Sequence, residues 1–145
     1  MKVGFTGTRR GFTQPQKAEF YLVLHRLHPI AEFHHGDCEG CDAQAHARVR
    51  PFTDIKIVIH PGYDIDGRYP HRANCVADEK RSPKPYIERN HNIVNESELM
   101  IAMPAEAEEV LRSGTWATIR YARKQNKPLL IIWPDGSVLK ERIDD

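Results

Sequence analysis

The feature that most constrains this chain is a repeated alternation: short apolar runs halted by glycine or proline, each set against a stretch with helical spacing. Residues 2–6 (Lys2-Val3-Gly4-Phe5-Thr6) are an apolar run stopped by Gly7 and read as a buried strand. Over 14–28, Ala18, Tyr21, Leu22, Leu24 and Leu27 recur at helical spacing, with Pro15 suited to the first turn and Pro29 closing the segment. A strand over 30–34 breaks at Gly36, a helix over 41–49 ends before Pro51, and a strand over 55–59 is terminated by Pro61-Gly62. A helix from Pro85 toward Asn95 precedes a strand over 99–103, and a helix over 114–125 precedes a strand over 129–133. Such alternation builds a parallel sheet covered on both faces by right-handed crossovers. The spacing therefore predicts an α/β fold, a Rossmann-like three-layer sandwich with a mostly parallel sheet of about five strands.

At 145 residues and 40% hydrophobic content, the chain closes one sizeable core, so 1–145 is expected to form a single domain. Lys and Arg number 21 against 20 Asp and Glu, and a net charge of +1 supplies no global field for a polyanion. Any anion site must be local. No apolar run approaches the roughly 20 residues of a membrane span, and the N-terminus lacks the apolar stretch of a secretory signal, so a cytoplasmic address is expected. Cys38 and Cys41 stand too close to staple the chain, and Cys75 is isolated. The Cys38-x-x-Cys41 pair lies near His34, His35 and His46, but a structural zinc site needs a second pair, and free thiols without a metal are expected. Residues 63–85 show no sustained period and read as one long loop, and the charged tail 140–145 is expected to fray.

In open parallel sheets ligands sit beyond the C-terminal strand ends, so the loops after the strands carry the candidate chemistry. Thr6-Gly7-Thr8-Arg9-Arg10 is a small-residue turn with hydroxyls and guanidiniums where a phosphate can rest. Neither a Walker motif nor a G-x-G-x-x-G fingerprint occurs, which argues against ordinary ATPase and NAD chemistry, and no cofactor is expected. After the second strand, Gly36 and Gly40 let backbone approach a ligand, with Asp37 or Asp42 able to take a hydroxyl. Arg89-Asn90 brings a guanidinium and an amide on a helix. Ser113-Gly114-Thr115 precedes a helix and offers hydroxyl and N–H donors.

Taken in order, these loops resemble the SLOG superfamily, the Rossmann-like group that includes DprA, the Lonely Guy phosphoribohydrolases and the YspA/YpsA-related proteins. Gly4-Phe5-Thr6-Gly7-Thr8-Arg9 resembles its opening strand and G-[ST]-R turn, and 35–46 resembles its G-G-A-x-G-x-D-x-x-A-H segment. Arg89-Asn90 resembles its R-N or R-K pair, and Ser113-Gly114-Thr115 its late phosphate turn. The resemblance implies a ligand-binding set of Gly4, Thr6, Gly7, Thr8, Arg9, Gly36, Asp37, Gly40, Asp42, Arg89, Asn90, Ser113, Gly114 and Thr115. The leading expectation is a module that senses or sequesters a nucleotide or nucleotide-derived small molecule and assembles as a homo-oligomer, with no membrane partner. The alternative is an N-glycosidase or nucleotide phosphoribohydrolase. The Lonely Guy enzymes place a glutamate where this chain has Thr118, so Asp37, Asp42 or Glu88 would have to stabilise the oxocarbenium-like state. Binding of single-stranded DNA ranks third, disfavoured by the near-neutral charge and the lack of clustered exposed aromatics.

Overall fold

A computed structural model of the chain describes residues 1–144. Each apolar run becomes a strand whose neighbours bury both of its faces, as parallel sheets require. The elements follow in the order β1 (Lys2–Gly7), α1 (Gln14–Leu27), β2 (Glu32–His35), α2 (Cys41–Val49) and β3 (Lys56–Ile59). The long connection then holds β4 (Gly62–Tyr63), β5 (Glu79–Lys80) and β6 (Lys84–Pro85). After it come α3 (Tyr86–Glu96), β7 (Leu99–Met103), α4 (Gly114–Lys124), β8 (Leu129–Ile132) and β9 (Val138–Glu141). The main sheet has seven strands in the order β5-β3-β2-β1-β7-β8-β9. All its pairings are parallel except β8 with β9. β4 and β6 form a separate pair.

Strand alternation sorts the core into two layers. Val3, Phe5, Ile101 and Met103 meet Phe20, Val23 and Leu24 of α1 and Ala45 and Val49 of α2 on one face. Met100, Ala102, Leu129 and Ile131 meet Ile93 and Val94 of α3 and Trp116, Ile119 and Ala122 of α4 on the other. Helices on both faces of the sheet make the predicted three-layer α/β sandwich. Gly4, listed among the candidate binding residues on sequence grounds, lies inside β1, where a Cβ would collide with the Ser97 hydroxyl and the Met100 sulfur. It is a packing glycine.

α1 starts in a capping box: the Thr13 hydroxyl accepts from Gln16 N–H (3.1 Å), and the Gln16 side chain accepts from Thr13 N–H (3.0 Å). The buried Gln16 amide then donates to the Pro104 and Ile132 carbonyls, hooking the helix start onto the ends of β7 and β8.

Two segments differ from the sequence reading, the loop 63–85, which also holds β6 and the end of β4, and the C-terminal tail. The loop 63–85 contains β5, which extends the sheet because Asp78 accepts from Ile57 N–H (2.8 Å) and from Arg50 (2.7 Å), turning the chain alongside β3. Of the tail expected to fray, Lys140 and Glu141 instead belong to β9, which is clamped to α4 by two bonds from Arg123 to the Glu141 carboxylate (3.1 and 2.8 Å). Of that expectation, Asp145 lies outside the described residues.

Beneath the sheet end four histidines are buried in two pairs. His34 joins His60 (2.8 Å) and the Glu32 carboxylate (2.8 Å), while His35 joins His46 (3.0 Å). Desolvation, the largest cause in each case, lowers the pKa of His34, His35 and His46 and brings that of His60 to about 4. An unfolded histidine takes up a proton near pH 6.5, which these folded histidines refuse, so stability present above that pH is lost as pH falls toward 4. Asp42, raised to about 6, works in the opposite sense, but as one group against four. The melting temperature is therefore expected to be several degrees lower at about pH 5 than at about pH 7.5. Calorimetry at the two pH values checks this, and an unchanged transition would show that the histidines are not held neutral.

Candidate nucleic-acid interface

β1 leads to β2 and β3 on one side and is flanked by β7 and β8 on the other, so the connections leave its C-terminal end in opposite directions. A cavity of about 520 Å³ opens there. Its walls are the turn after β1, the loop after β2, the first turns of α3 and the segment leading into α4.

Of the residues expected from sequence, Thr6, Gly7, Thr8, Arg9, Gly36, Asp42, Arg89, Asn90, Ser113, Gly114 and Thr115 line this cavity. The turn after β1 is fixed by its backbone: Thr8 N–H donates to Met103 O (3.0 Å), and Thr8 O accepts from Cys41 N–H (3.1 Å). That last bond draws the first two loops together. Gly40 (φ 85°) lies at the contact, where a Cβ would overlap the Arg9 carbonyl, so its glycine serves loop packing and its atoms do not line the cavity. Arg9 and Arg10 are exposed, as is Arg112 across the opening. Among the described residues none of the three side chains makes a hydrogen bond or ion pair with the protein. At the start of α4, the Ser113 hydroxyl accepts from Trp116 N–H (3.2 Å), leaving the Gly114 and Thr115 N–H groups without intrahelical partners. The Thr118 hydroxyl donates to Gly114 O (2.9 Å), so the position discussed for a catalytic glutamate lines the cavity as part of the helix start.

The two loop aspartates part company. Asp37 (φ 55°) turns away from the cavity, accepting from Cys75 N–H (2.8 Å) and Arg72 Nε (3.1 Å), while its carbonyl accepts from Ala73 N–H (2.8 Å). It anchors the long loop. Asp42 is buried under the cavity, with Oδ2 accepting from Gly36 N–H (3.1 Å) and Cys38 N–H (3.2 Å). Burial raises its pKa to about 6 against the pull of Arg89. Glu88 is exposed on α3 outside the cavity. The catalytic trio suggested by the sequence is therefore dispersed, and only Asp42 reaches the site.

Arg89 is 6% exposed and donates to Gly36 O (2.6 Å), His60 O (3.0 Å) and the Asn90 side-chain oxygen (2.8 Å), with its guanidinium over the Tyr86 ring. Arg10, His71, Tyr86, Glu106 and Arg112 line the cavity without having been assigned to it from sequence. Arg10 and Arg112 adjoin the two predicted turns, a signal available in the sequence. Tyr86, Glu106 and His71 come from segments with no periodicity to place them.

Cys75, isolated in sequence, lies beside His35 and His46. The His35 Nδ1 accepts from Asp37 N–H (3.0 Å), which makes Nε2 the protonated nitrogen that faces His46 Nδ1. That tautomer leaves no lone pair on Nε2 for a cation. Cys38, Cys41 and Cys75 are free thiols, with burial raising them to about 11, 12 and 12.

No protein-family model and no curated protein matches this chain. Among solved structures it is similar to DNA processing protein A (DprA) of Streptococcus pneumoniae, with TM-score 0.67 and 21% identity over 90% of this chain and 49% of that one. It is also similar to the Helicobacter pylori DprA, a protein with a single-stranded DNA binding mode, with TM-score 0.61 and 21% identity over 90% of this chain and 64% of that one. The chain thus spans between half and two thirds of the length of these structures, and the likeness carries the fold. It also corrects two expectations: the leading reading as a small-nucleotide module, and the ranking of nucleic acid as an unlikely partner. Both fail against structural neighbours that are DNA-processing proteins, one of them with a stated single-stranded DNA binding mode. The physical reason is that a net charge of +1 is a sum over the whole surface, whereas the arginines at the opening act locally. On the described residues, no helix is long and apolar enough to cross a membrane.

The contrasting roles of the acidic residues are testable. Asp37→Ala should lower stability by about 1–3 kcal/mol, because it leaves the half-buried Arg72 guanidinium and the Cys75 N–H without their acceptor, and should expose the 64–81 loop to trypsin. Glu88→Gln should change neither melting nor digestion. Urea melts and limited proteolysis of both variants measure this, and a stable, resistant Asp37→Ala would contradict the anchoring role.

Proposed function

We propose that this chain is a SLOG-like domain that binds single-stranded DNA, with the backbone at the rim of the cavity and an unpaired nucleotide inside it. The observation that carries this is the set of three unpaired, exposed arginines, Arg9, Arg10 and Arg112, around an opening that also receives the start of α4. Phosphates are held by such guanidiniums and by the unpartnered N–H groups of a helix start. A recess of about 520 Å³ suits one nucleotide unit, and a base held in a duplex cannot leave its stack to fill it without breaking its pair. Tyr86, Ile93 and Phe5 give the recess apolar wall for a base. The similarity to DNA-processing proteins, one of which has a single-stranded DNA binding mode, points the same way.

Fluorescence anisotropy with a labelled single strand and its duplex tests the reading. The single strand should bind more tightly, and affinity should fall with salt. Arg9→Ala, Arg10→Ala and Arg112→Ala should each reduce the slope of log K against log salt by about 0.7, the value for one phosphate contact on a single strand. Equal binding of duplex, or an unaltered slope in the triple variant, would refute it.

A further inference from the structure

The rim and the floor of the cavity differ in electrostatic character: the rim guanidiniums are exposed and without partners among the described residues, whereas in the floor the buried Arg89 guanidinium lies beside the Asp42 carboxylate. The exposed rim holds Arg9, Arg10 and Arg112, whereas the floor holds the Asp42 carboxylate, 6% exposed. One of its oxygens, Oδ2, is taken by two backbone N–H groups, and among the described residues no hydrogen bond reaches Oδ1. An acceptor of a largely buried side chain that is accessible from the cavity suits an occupant with a donor group. A phosphate brings only acceptors, so it cannot satisfy that oxygen. What suits it is an uncharged group rich in N–H, and the base of a nucleotide whose phosphates lie on the rim is such a group.

Asn90, which also lines the cavity, adds a donor. Its side-chain oxygen accepts from Arg89 Nε (2.8 Å), and since Arg only donates, the amide orientation is fixed and the NH₂ is left over.

We infer that Asp42 is a specificity-determining residue whose open Oδ1 accepts a hydrogen bond from the exocyclic amino group of the base in the cavity, so that amino-bearing bases are preferred to uracil and thymine. This rests on the single-strand reading above. Carboxylates accept from the cytosine amino group in this way, whereas uracil presents a carbonyl oxygen at the same place and meets the carboxylate with repulsion. At neutral pH Asp42, with a pKa of about 6, is ionised and accepts.

The test compares oligo(dC) with oligo(dU) of equal length, because the two bases match in size and differ at the exocyclic group. Wild type should bind oligo(dC) about tenfold more tightly, the effect of one hydrogen bond to a charged group. An oligomer of N4,N4-dimethylcytosine, which has lost both amino hydrogens, should forfeit that gain without any change to the protein. In Asp42→Asn the one remaining oxygen stays on the Gly36 and Cys38 N–H groups and the new NH₂ faces the cavity, so the preference should reverse toward oligo(dU). Equal affinity of wild type for the two homopolymers overturns the assignment, as does an oligo(dC) preference that the dimethylcytosine oligomer keeps. Equal but salt-dependent binding leaves the single-strand reading intact and removes only the role of Asp42. Failure to bind any strand removes both.

Discussion

The end of this sheet is organised around one buried cation. The Arg89 guanidinium is taken out of water, and a buried charge is tolerated only where its N–H groups find acceptors. Here the carbonyls of Gly36 and His60, which follow β2 and β3, supply them, together with the Asn90 side chain. The same bonds fasten α3 across the ends of two strands that it does not follow in sequence. They also explain Gly36: a Cβ there would fall 2.6 Å from the guanidinium, so the glycine is demanded by the arginine and not by an approaching ligand. Asp42 sits beside the same cation, which moderates the desolvation of its carboxylate.

With the floor fixed in this way, the loops above it are held by different means. The turn after β1 and the loop after β2 are bound to each other through Thr8 O and Cys41 N–H. The long connection is bound to the second loop through Asp37 and through the Glu39–His71 pair (2.9 Å). By contrast, the arginines at the opening have no such ties. Rigid backbone beneath and untied side chains above is the arrangement in which a flexible polyanion can be gripped at little reorganisation of the site.

How far all this could be read from sequence depends on the physics behind each part. The alternation of apolar runs and helical spacing encodes the inner strands, because a strand buried on both faces has to be continuously apolar, as Leu129–Ile132 is. The edge strands escape that signal. Glu79–Lys80 and Val138–Glu141 each face solvent on at least one side, so their composition is that of a loop and their pairing is decided by contacts distant in sequence, Asp78 with Ile57 and Arg123 with Glu141. The loops bearing the cavity were legible from their positions after strands. The individual roles within them were not: Asp37 and Asp42 are acids five residues apart around Gly40, but Asp37 sits in the loop with left-handed backbone (φ 55°) whereas Asp42 lies in the first turn of α2, and their side chains serve different partners. Cys75 beside His35 and His46 is a similar case, a juxtaposition made by the long connection that no spacing could announce.

Net charge misleads here for a related reason. A near-zero total argues against a polyanion only if the charges are spread evenly, and in this chain they are not. Most of the acids with partners neutralise basic residues away from the opening, as in Arg26–Glu19, Lys56–Glu79, Arg81–Glu96, Arg120–Glu109 and Arg123–Glu141. Such pairs cancel in the sum and contribute little field at a distance. The unpaired arginines at the rim then dominate locally, while Glu106 in the wall and Asp42 in the floor oppose them deeper in. An anion approaching this surface meets the unpaired guanidiniums first, while in the floor the Asp42 carboxylate and the Arg89 guanidinium offset one another. Under the single-strand reading proposed above, the phosphate stays on the rim and the uncharged base enters, and a chain of nucleotides without base pairs presents both halves at once.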